Sequence, residues 1–444
     1  MLMRFWRIFL LLLLAAQWSA PALNAIEKQP ASVYHARRVA LAAQLQGGVA
    51  VLFAANEPQM EYQDYRQDED FFYLTGWNEP GAALLVMGEG AHYKETLFLP
   101  TRNLRLEKYT GVKLDAVTPG AAQTAGVDAV QPMTDLATVL NRLIDGDRHL
   151  ERKLWAEPGN PATVALIGFT AATLGLDPPP SLHDVSAPIQ TLRVVKDAGE
   201  IALLHKASDA SIAAQKVMMQ AVKPGITERT LAGKMTAAWL EHGCERASYP
   251  AIVGSGINST ILHYAENSRT MEDGDLLLVD AACEYSMYAS DITRTVPVNG
   301  HFTDRQREIY NVVLGAQRAA IQAFVAGKSK INDRDRKDPD SLDVAAYNYI
   351  NTHGKALDGQ PLGKYWLHGL GHMVGIDVHD PADYPAVLKP GMVFTIEPGI
   401  YIPEEKIGVR IECVFLVGTD GKLIDLVADL PHTAEDVEAL MKGK

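Results

Sequence analysis

Hydrophobic and polar positions follow three rhythms along the 444 residues. The first is a single block: Arg4 and Arg7 precede an unbroken apolar run at 8–16, and small residues including Ala20, Pro21 and Ala22 follow it. The order positive, apolar, small is that of a secretory signal peptide. A membrane anchor is the competing reading, but the run is shorter than the roughly 20 apolar residues that span a bilayer. No cysteine follows the run, so lipoprotein processing is not expected. Residues 1–25 are therefore expected to be a signal peptide, cut after Ala22 or Ala25. The mature chain would be exported, periplasmic or secreted, with no stable membrane span.

Between 32 and 192 the pattern alternates between the helical and the extended period. Residues 33–45 carry an amphipathic helical repeat, 49–54, 82–87 and 96–99 read as strands, and 134–144 read as a helix started by a Thr134 cap. This predicts a small α/β domain over 26–192. It holds no His/Cys cluster and no Gly-rich phosphate loop, so no chemistry is assigned to it. Pro178, Pro179, Pro180 and Pro188 mark a stiff linker, because proline removes backbone donors. The domain at 193–444 opens with a helix over 197–222 that stops before Pro224 and Gly225. Thr227 caps the next helix, and Thr303 with Gln306 forms a T-x-x-Q capping box for a third. Residues 328–340, dense in charges of both signs, read as a solvated loop without a function.

The third rhythm is an apolar run that ends on an acid. Residues 276–279 are long enough for a buried strand and deliver Asp280, and the alternating residues 292–296 form a second strand entered at Asp291. Joined by a polar turn, the two strands bring two carboxylates together. Such a pair repels itself unless a proton or a cation lies between. Taken alone, Asp280 would cap a strand and Asp291 would face water. Three more residues change that: His372 in HGLGHMVGIDVHD, Glu397 in FTIEPGIY and Glu412 in VRIECVFLV, each beside glycine or within an apolar strand. Four carboxylates and one imidazole form an oxygen-rich set that suits hard or borderline divalent metals such as manganese. Gly369, Gly371 and Gly375 would let the backbone near His372 approach closely. Arg410 and Glu412, two apart in an alternating strand, are expected on one face and so in one cavity.

Asp280, Asp291, His372, Glu397 and Glu412 in this order, set in VDAACEY, SDITRT, HGLGHMVGIDVHD, EPG and VRIE, resemble the ligands of the pita-bread metallopeptidases, and among these the Xaa-Pro aminopeptidases (aminopeptidase P). The likeness covers nearly the whole chain after residue 33 and includes DFFYLTGWNEPGAALLV, a stretch that methionine aminopeptidases lack. It implies an α/β N-terminal domain followed by an α+β pita-bread catalytic domain with an internal two-fold relation. It implies that the five residues hold two divalent ions, manganese with zinc or cobalt as alternatives, sharing a bridging hydroxide. Glu397 would shuttle the proton. His379 and His263 would hydrogen-bond the scissile carbonyl oxygen and the tetrahedral intermediate, and His368 and Arg410 would line a proline pocket. On that reading Arg410→Ala weakens peptide turnover and leaves the metal in place.

The resemblance further implies peptide substrates with N-terminal Xaa-Pro and a homo-oligomer, dimer or tetramer, to which the N-terminal domain contributes. Tyr109 stands where relatives tend to carry Trp, and the loops after Asp380 and between Glu397 and Glu412 are short. The length of an accepted peptide is therefore not carried over. The alternatives are an Xaa-Pro dipeptidase, a peptide-binding relative without catalysis, and metal-free creatinase-type chemistry. The last two are disfavoured because all five ligands are present.

Charge and cysteine content narrow the picture a little more. A formal net charge of -13 provides no basic surface for nucleic acid. Three cysteines are too few for a disulfide framework, and an odd number leaves at least one free. Cys283 and Cys413, close to Asp280 and Glu412, read as small buried residues rather than soft ligands. There is no G-x-S-x-G elbow, and Gly254-Ser255-Gly256 reads as a turn.

Overall fold

The computed structural model describes residues 26–58, 64–88, 92–382 and 385–443, and the expected leader at 1–25 lies outside them. Among the described residues no helix is long and apolar enough to cross a membrane. Six strands, β1 Val49–Phe53, β2 Ala83–Met87, β3 Lys94–Leu99, β4 Val130–Pro132, β5 Leu154–Ala156 and β6 Leu182–Asp184, form one sheet in the order β4-β3-β2-β1-β5-β6. β1 is buried at every position because both of its faces are covered. Ala50 and Leu52 meet Leu41 of the helix Ala31–Gln44, whereas Val49, Val51 and Phe53 meet Leu140 and Ile144 of the helix Leu136–Gly146. The first of these cores continues into Val374, Ile376, Val393, Val414 and Leu416, so the two domains share one apolar interior.

Two local expectations fail here for physical reasons. Thr134 caps nothing: Met133–Asp135 is a 3-10 turn that runs directly into the helix Leu136–Gly146. The proline-rich stretch is not a free linker. Leu182–Asp184 pairs in parallel with β5 as the sheet's edge strand, and Pro188 lies in the first turn of the helix Ser186–Arg193. Pro178, Pro179 and Pro180 lie in the irregular stretch just before that edge strand and Pro188 in a first helical turn, places where no backbone donor is required, so prolines fit inside the domain.

The junction that follows is rigid. Arg193 Nη1 binds Asp70 Oδ1 of the N-terminal domain at 2.6 Å, and its Nη2 binds Asp380 Oδ1 of the second domain at 2.6 Å. Lys196 Nζ adds a 2.7 Å contact to Asp380 Oδ2.

The second domain repeats one plan twice: a pair of helices over antiparallel strands. In the first half, helices Ala198–Ala221 and Glu228–Glu241 accompany β7 Arg246–Ala247, β8 Ile252–Ser255, β9 Leu276–Asp280, β10 Cys283–Tyr285, β11 Tyr288–Ala289 and β12 Thr293–Pro297. In the second, helices Asp304–Ala323 and Leu342–His353 accompany β13 Val393–Ile396, β14 Gly399–Ile402, β15 Ile407–Arg410, β16 Cys413–Val417 and β17 Leu423–Asp425. Asp197 with Glu200 and Thr303 with Gln306 form full capping boxes at the two long helices, each satisfying two otherwise unmet donors. Thr227 caps Glu228–Glu241 as expected.

The connection from Asp280 to Asp291 is not a polar turn. It is the buried hairpin β10–β11, with Ser286 and Met287 at positive φ at its tip. It can be buried because the helix beneath supplies polar partners: Ser211 Oγ accepts from Cys283 N at 3.0 Å, and Ser208 Oγ meets Ser290 Oγ at 3.1 Å. Cys283 is also not a lone buried thiol, since it is disulfide-bonded to Cys244 and only Cys413 is free. Gly254 and Ser255 belong to β8 rather than to a turn, and the Ser255 hydroxyl donates to Glu228.

The buried junction makes a stability prediction. Two cations and burial act in opposite senses on Asp380, and the cations win, so its carboxyl is held below the usual range. Asp70, with one cation and acidic neighbours, is instead pushed up by burial. A depressed carboxyl contributes above its unfolded pKa and loses that contribution as pH falls through its folded value. Arg193→Met should lower stability by about 3–5 kcal/mol because it strands buried carboxylates. Asp380→Asn should flatten the acid limb of stability against pH, both read by denaturant unfolding.

Candidate metal centre

Strand ends bring the acidic residues together. In the β9–β12 pairing Thr293 stands opposite Asp280, so Asp291, two residues earlier, arrives beside it. Glu397 follows β13, and Glu412 lies where the chain passes from β15 to β16. Arg410 and Glu412 are thus not on one continuous strand, yet both reach the same cavity. His372 comes from the Gly-rich segment, whose backbone runs against β13: Thr395 N donates to His372 O at 2.9 Å and Glu397 N to Leu370 O at 2.8 Å. A side chain at Gly371 would put its Cβ 2.1 Å from Thr395 O, so this approach requires glycine.

All nine residues singled out from the sequence line one cavity of about 640 Å³: Asp280, Asp291, His372, Glu397, Glu412, His263, His368, His379 and Arg410. Within it, His372 Nε2 lies 3.3 Å from Asp291 Oδ2 and 3.5 Å from Glu397 Oε1. Atoms of Asp291, His372 and Glu412 fall within 4.8 Å of one another. A further layer of donors fixes the carboxylates. Tyr249 Oη donates to Asp291 Oδ1 at 2.6 Å, Thr293 Oγ1 to Glu412 Oε2 at 2.7 Å and Thr395 Oγ1 to Glu397 Oε1 at 3.2 Å. Arg294, fully buried, donates to Thr293 O at 2.9 Å and Glu412 O at 2.6 Å, tying the two halves together behind the ligands.

The residues fit a divalent metal. Asp280 Oδ1 is buried with no hydrogen-bond partner, a costly state for a carboxylate oxygen unless a cation takes it. His372 Nδ1 is 3.0 Å from Met373 O and donates to it, which leaves Nε2 aimed at the acids, the arrangement of a metal-ligating imidazole. Burial pushes Asp280 up, Glu397 up to about 7 and Glu412 well up, the last helped by its acidic neighbours. Asp291 and Glu397 overcome burial and lift His372 to about 9. The protein alone therefore holds protons that a cation would displace.

Arg410 is drawn into the centre more closely than expected. Its Nη2 binds Asp280 Oδ2 at 2.6 Å, its Nε donates to Thr293 Oγ1 at 3.0 Å and its Nη1 to Tyr401 Oη at 2.7 Å. Tyr401 in turn donates to His368 Nε2 at 2.8 Å, while His368 Nδ1 donates to Gly369 O at 2.7 Å. Burial and the Arg410 charge bring His368 down to about 4, so this relay is built on a neutral imidazole. Because Arg410 holds Asp280, one of the candidate ligands, the expectation that Arg410→Ala would spare a metal does not follow from this geometry. His379 packs against His372 with ring centroids 4.0 Å apart and the rings tilted by 47°. His263 is exposed at the cavity wall, and its neighbour Tyr264 is anchored by a 2.9 Å bond to buried Glu228.

Tyr249, Thr293, Thr395, Tyr401 and Asn332 were not singled out from the sequence. Asn332 lies in the charged loop that was assigned no role. It accepts from Leu370 N and donates to Gly371 O, both at 2.6 Å, bracing the His372 segment. In the same loop Arg336 lies over the Tyr347 and Trp366 rings and pairs with Asp343, so the loop is docked rather than solvated. The signal available was an Asn amid charges; its target 38 residues on was not.

Because burial raises Glu397 to about 7 and the acids around His372 hold its proton up to about 9, adding a divalent cation such as Mn²⁺ to the stripped protein should release protons, and affinity should rise between about pH 6 and pH 9. Titration in weak buffer measures both, and Glu412→Ala should lower the metal stoichiometry. A pH-independent isotherm would contradict this protonation scheme.

Comparison with known proteins follows the same division of the chain. Residues 202–419 match metallopeptidase family M24, and residues 34–151 match the aminopeptidase P N-terminal domain. The Xaa-Pro aminopeptidase of Haemophilus influenzae is 34% identical over 93% of this chain and 98% of its own length. That of Escherichia coli is 35% identical over 92% and 97%. Proline aminopeptidase P II from Yersinia pestis superposes with a TM-score of 0.82 at 32% identity, over 94% of this chain and 100% of that one. Zinc-substituted Escherichia coli aminopeptidase P in complex with product gives 0.81 at 31%, over 94% and 99%. With both domains matched in order and the relatives aligned from end to end, this chain belongs to the M24 metallopeptidases with an aminopeptidase P N-terminal domain.

Proposed function

We propose that the chain is a metal-dependent exopeptidase that releases the N-terminal residue from peptides with proline in second position. The observation that carries this is the five-ligand cluster on the floor of a cavity walled by His263, His379 and the His368–Tyr401–Arg410 relay, in a chain whose relatives named Xaa-Pro aminopeptidase align over both domains. Asp280, Asp291, His372, Glu397 and Glu412 would hold two divalent ions, manganese for a carboxylate-rich set, with zinc or cobalt as alternatives. When bound, the ions supply Lewis acidity and an activated water at neutral pH.

The chain's own groups account for the rest. Water adds to the scissile carbonyl carbon, the carbon–nitrogen bond breaks, and Glu397 takes the water's proton and delivers it to the leaving proline nitrogen. His263 and His379 present imidazole donors to the carbonyl oxygen as charge develops there. His368, Tyr401 and Arg410 form a wall whose donors and acceptors already satisfy one another, a surface suited to a ring that has no N–H to offer.

An Xaa-Pro dipeptidase is the second reading, since the cluster itself serves both activities. A panel of proline peptides from two to nine residues long separates them. Cleavage of tripeptides and longer Xaa-Pro peptides is expected. Activity confined to dipeptides would replace this reading with the second, and equal cleavage before non-proline residues would reject both. His263→Ala and His379→Ala should lower kcat by about 10²- to 10³-fold with bound metal retained.

Export is part of the same proposal. The Cys244–Cys283 disulfide supports it, because such bonds persist in oxidising compartments. The mature chain should begin at Leu23 or Ile26; N-terminal sequencing that finds Met1 on a cytosolic protein would overturn export. A homo-oligomer, dimer or tetramer, is the assembly we favour. The exposed Leu106, Tyr109 and Val112 of the N-terminal domain support it as apolar surface in need of cover.

A further inference from the structure

Each long helix of the catalytic domain sends one buried glutamine into the strands that carry the ligands. Gln215 Nε2 donates to Ala281 O and Ile292 O, both at 3.1 Å. Gln317 Nε2 donates to Ile396 O at 3.0 Å and to Ile411 O at 3.1 Å. The two side chains are 0% and 2% exposed. Their acceptors share one property. Ala281 and Ile292 each follow an acid of the cluster, Asp280 and Asp291, and Ile396 and Ile411 each precede one, Glu397 and Glu412.

A carboxamide nitrogen carries two hydrogens in a fixed plane, so donating both sets the distance and angle between two carbonyls. Here those carbonyls belong to the two chain segments that present one pair of acids. Gln215 is held by these two donated bonds alone, since its Oε1 is buried without a partner. Ala214, Met218 and Met219 of the same helix are buried in the core around it.

We propose that Gln215 and Gln317 are positioning residues for the metal centre, each fixing the separation of one carboxylate pair: Asp280 with Asp291, and Glu397 with Glu412. The proposal rests on those four acids being metal ligands. The two halves are not equally dependent. Ala281 N also bonds Ile292 O directly at 3.1 Å, whereas the nearest main-chain bond in the second half, Ile411 N to Pro398 O, is 3.4 Å. The second pair relies more on its glutamine.

The test is Mn²⁺ titration by calorimetry of the metal-stripped full-length protein and its variants. Gln317→Met should weaken binding by more than tenfold, and Gln215→Met by about tenfold, the range seen when groups behind metal ligands are removed. Ser211→Ala is the control: Ser211 lies one turn before Gln215 and bonds Cys283 N, away from the ligands. It should lower the unfolding midpoint and leave Mn²⁺ affinity within twofold of the parent. Should either Met variant fail to fold, Gln215→Asn and Gln317→Asn keep the amide but are one methylene too short to reach both carbonyls, and they should show the same order of effect. Folded glutamine variants that bind as the parent does would overturn the proposal while leaving the metal reading intact. A parent that binds neither Mn²⁺, Zn²⁺ nor Co²⁺ would overturn both.

Discussion

Four carboxylates share the floor of one buried cavity with the guanidinium of Arg410 and the imidazole of His372. Their mutual repulsion is the constraint to which the surrounding structure answers. Left to relax, such groups would turn away toward water. They cannot, because Tyr249, Thr293, Thr395 and Arg410 hold them by hydrogen bonds and because the strands that carry them are buried. The repulsion that remains is neutralised by protons in the protein alone and by cations when they are supplied. In a centre of this kind the packed fold, before any metal arrives, has already met the cost of gathering the acids.

That rigidity is built up over long distances. Arg294 fastens β12 to the chain around Glu412, and the relay from Arg410 through Tyr401 to His368 joins the metal side of the cavity to its opposite wall. Asn332 braces the His372 segment from a loop on the outside. Among the described residues none of the N-terminal domain lines the cavity, yet its sheet packs on Val374 and Ile376, next to the His372 and His379 segment, and Arg193 locks it to Asp380. The wall that bears His379 is therefore held from behind by the other domain.

Much of this was legible in the residues themselves. Short apolar runs ending in acids are read as buried strands, because an uninterrupted run of Leu276, Leu277, Leu278 and Val279 has no polar face to show to water. The capping box at Thr303 is local, so the start of that long helix follows from three-residue spacing alone. The five residues that gather in the cavity could be named because their chemistry is unusual in such settings: acids beside apolar strands, and a histidine among glycines.

What only the tertiary structure decided lies in pairings between residues far apart in the chain, for which the local pattern carries no signal. The sequence allowed 281–291 to be a polar turn; only the helix beneath, with Ser208, Ser211 and Gln215, makes a buried hairpin possible there. It suggested three cysteines without a framework, and proximity in space paired two of them. It left Arg410 open between a carboxylate partner and a pocket wall, and the fold set that guanidinium on Asp280, 130 residues away. The sequence by itself determined which side chains could bind a metal, since that is a matter of chemistry at each position. Their separation, protonation and partners belong to the packed structure, because burial and the fields of distant charges exist only once the chain has closed around them.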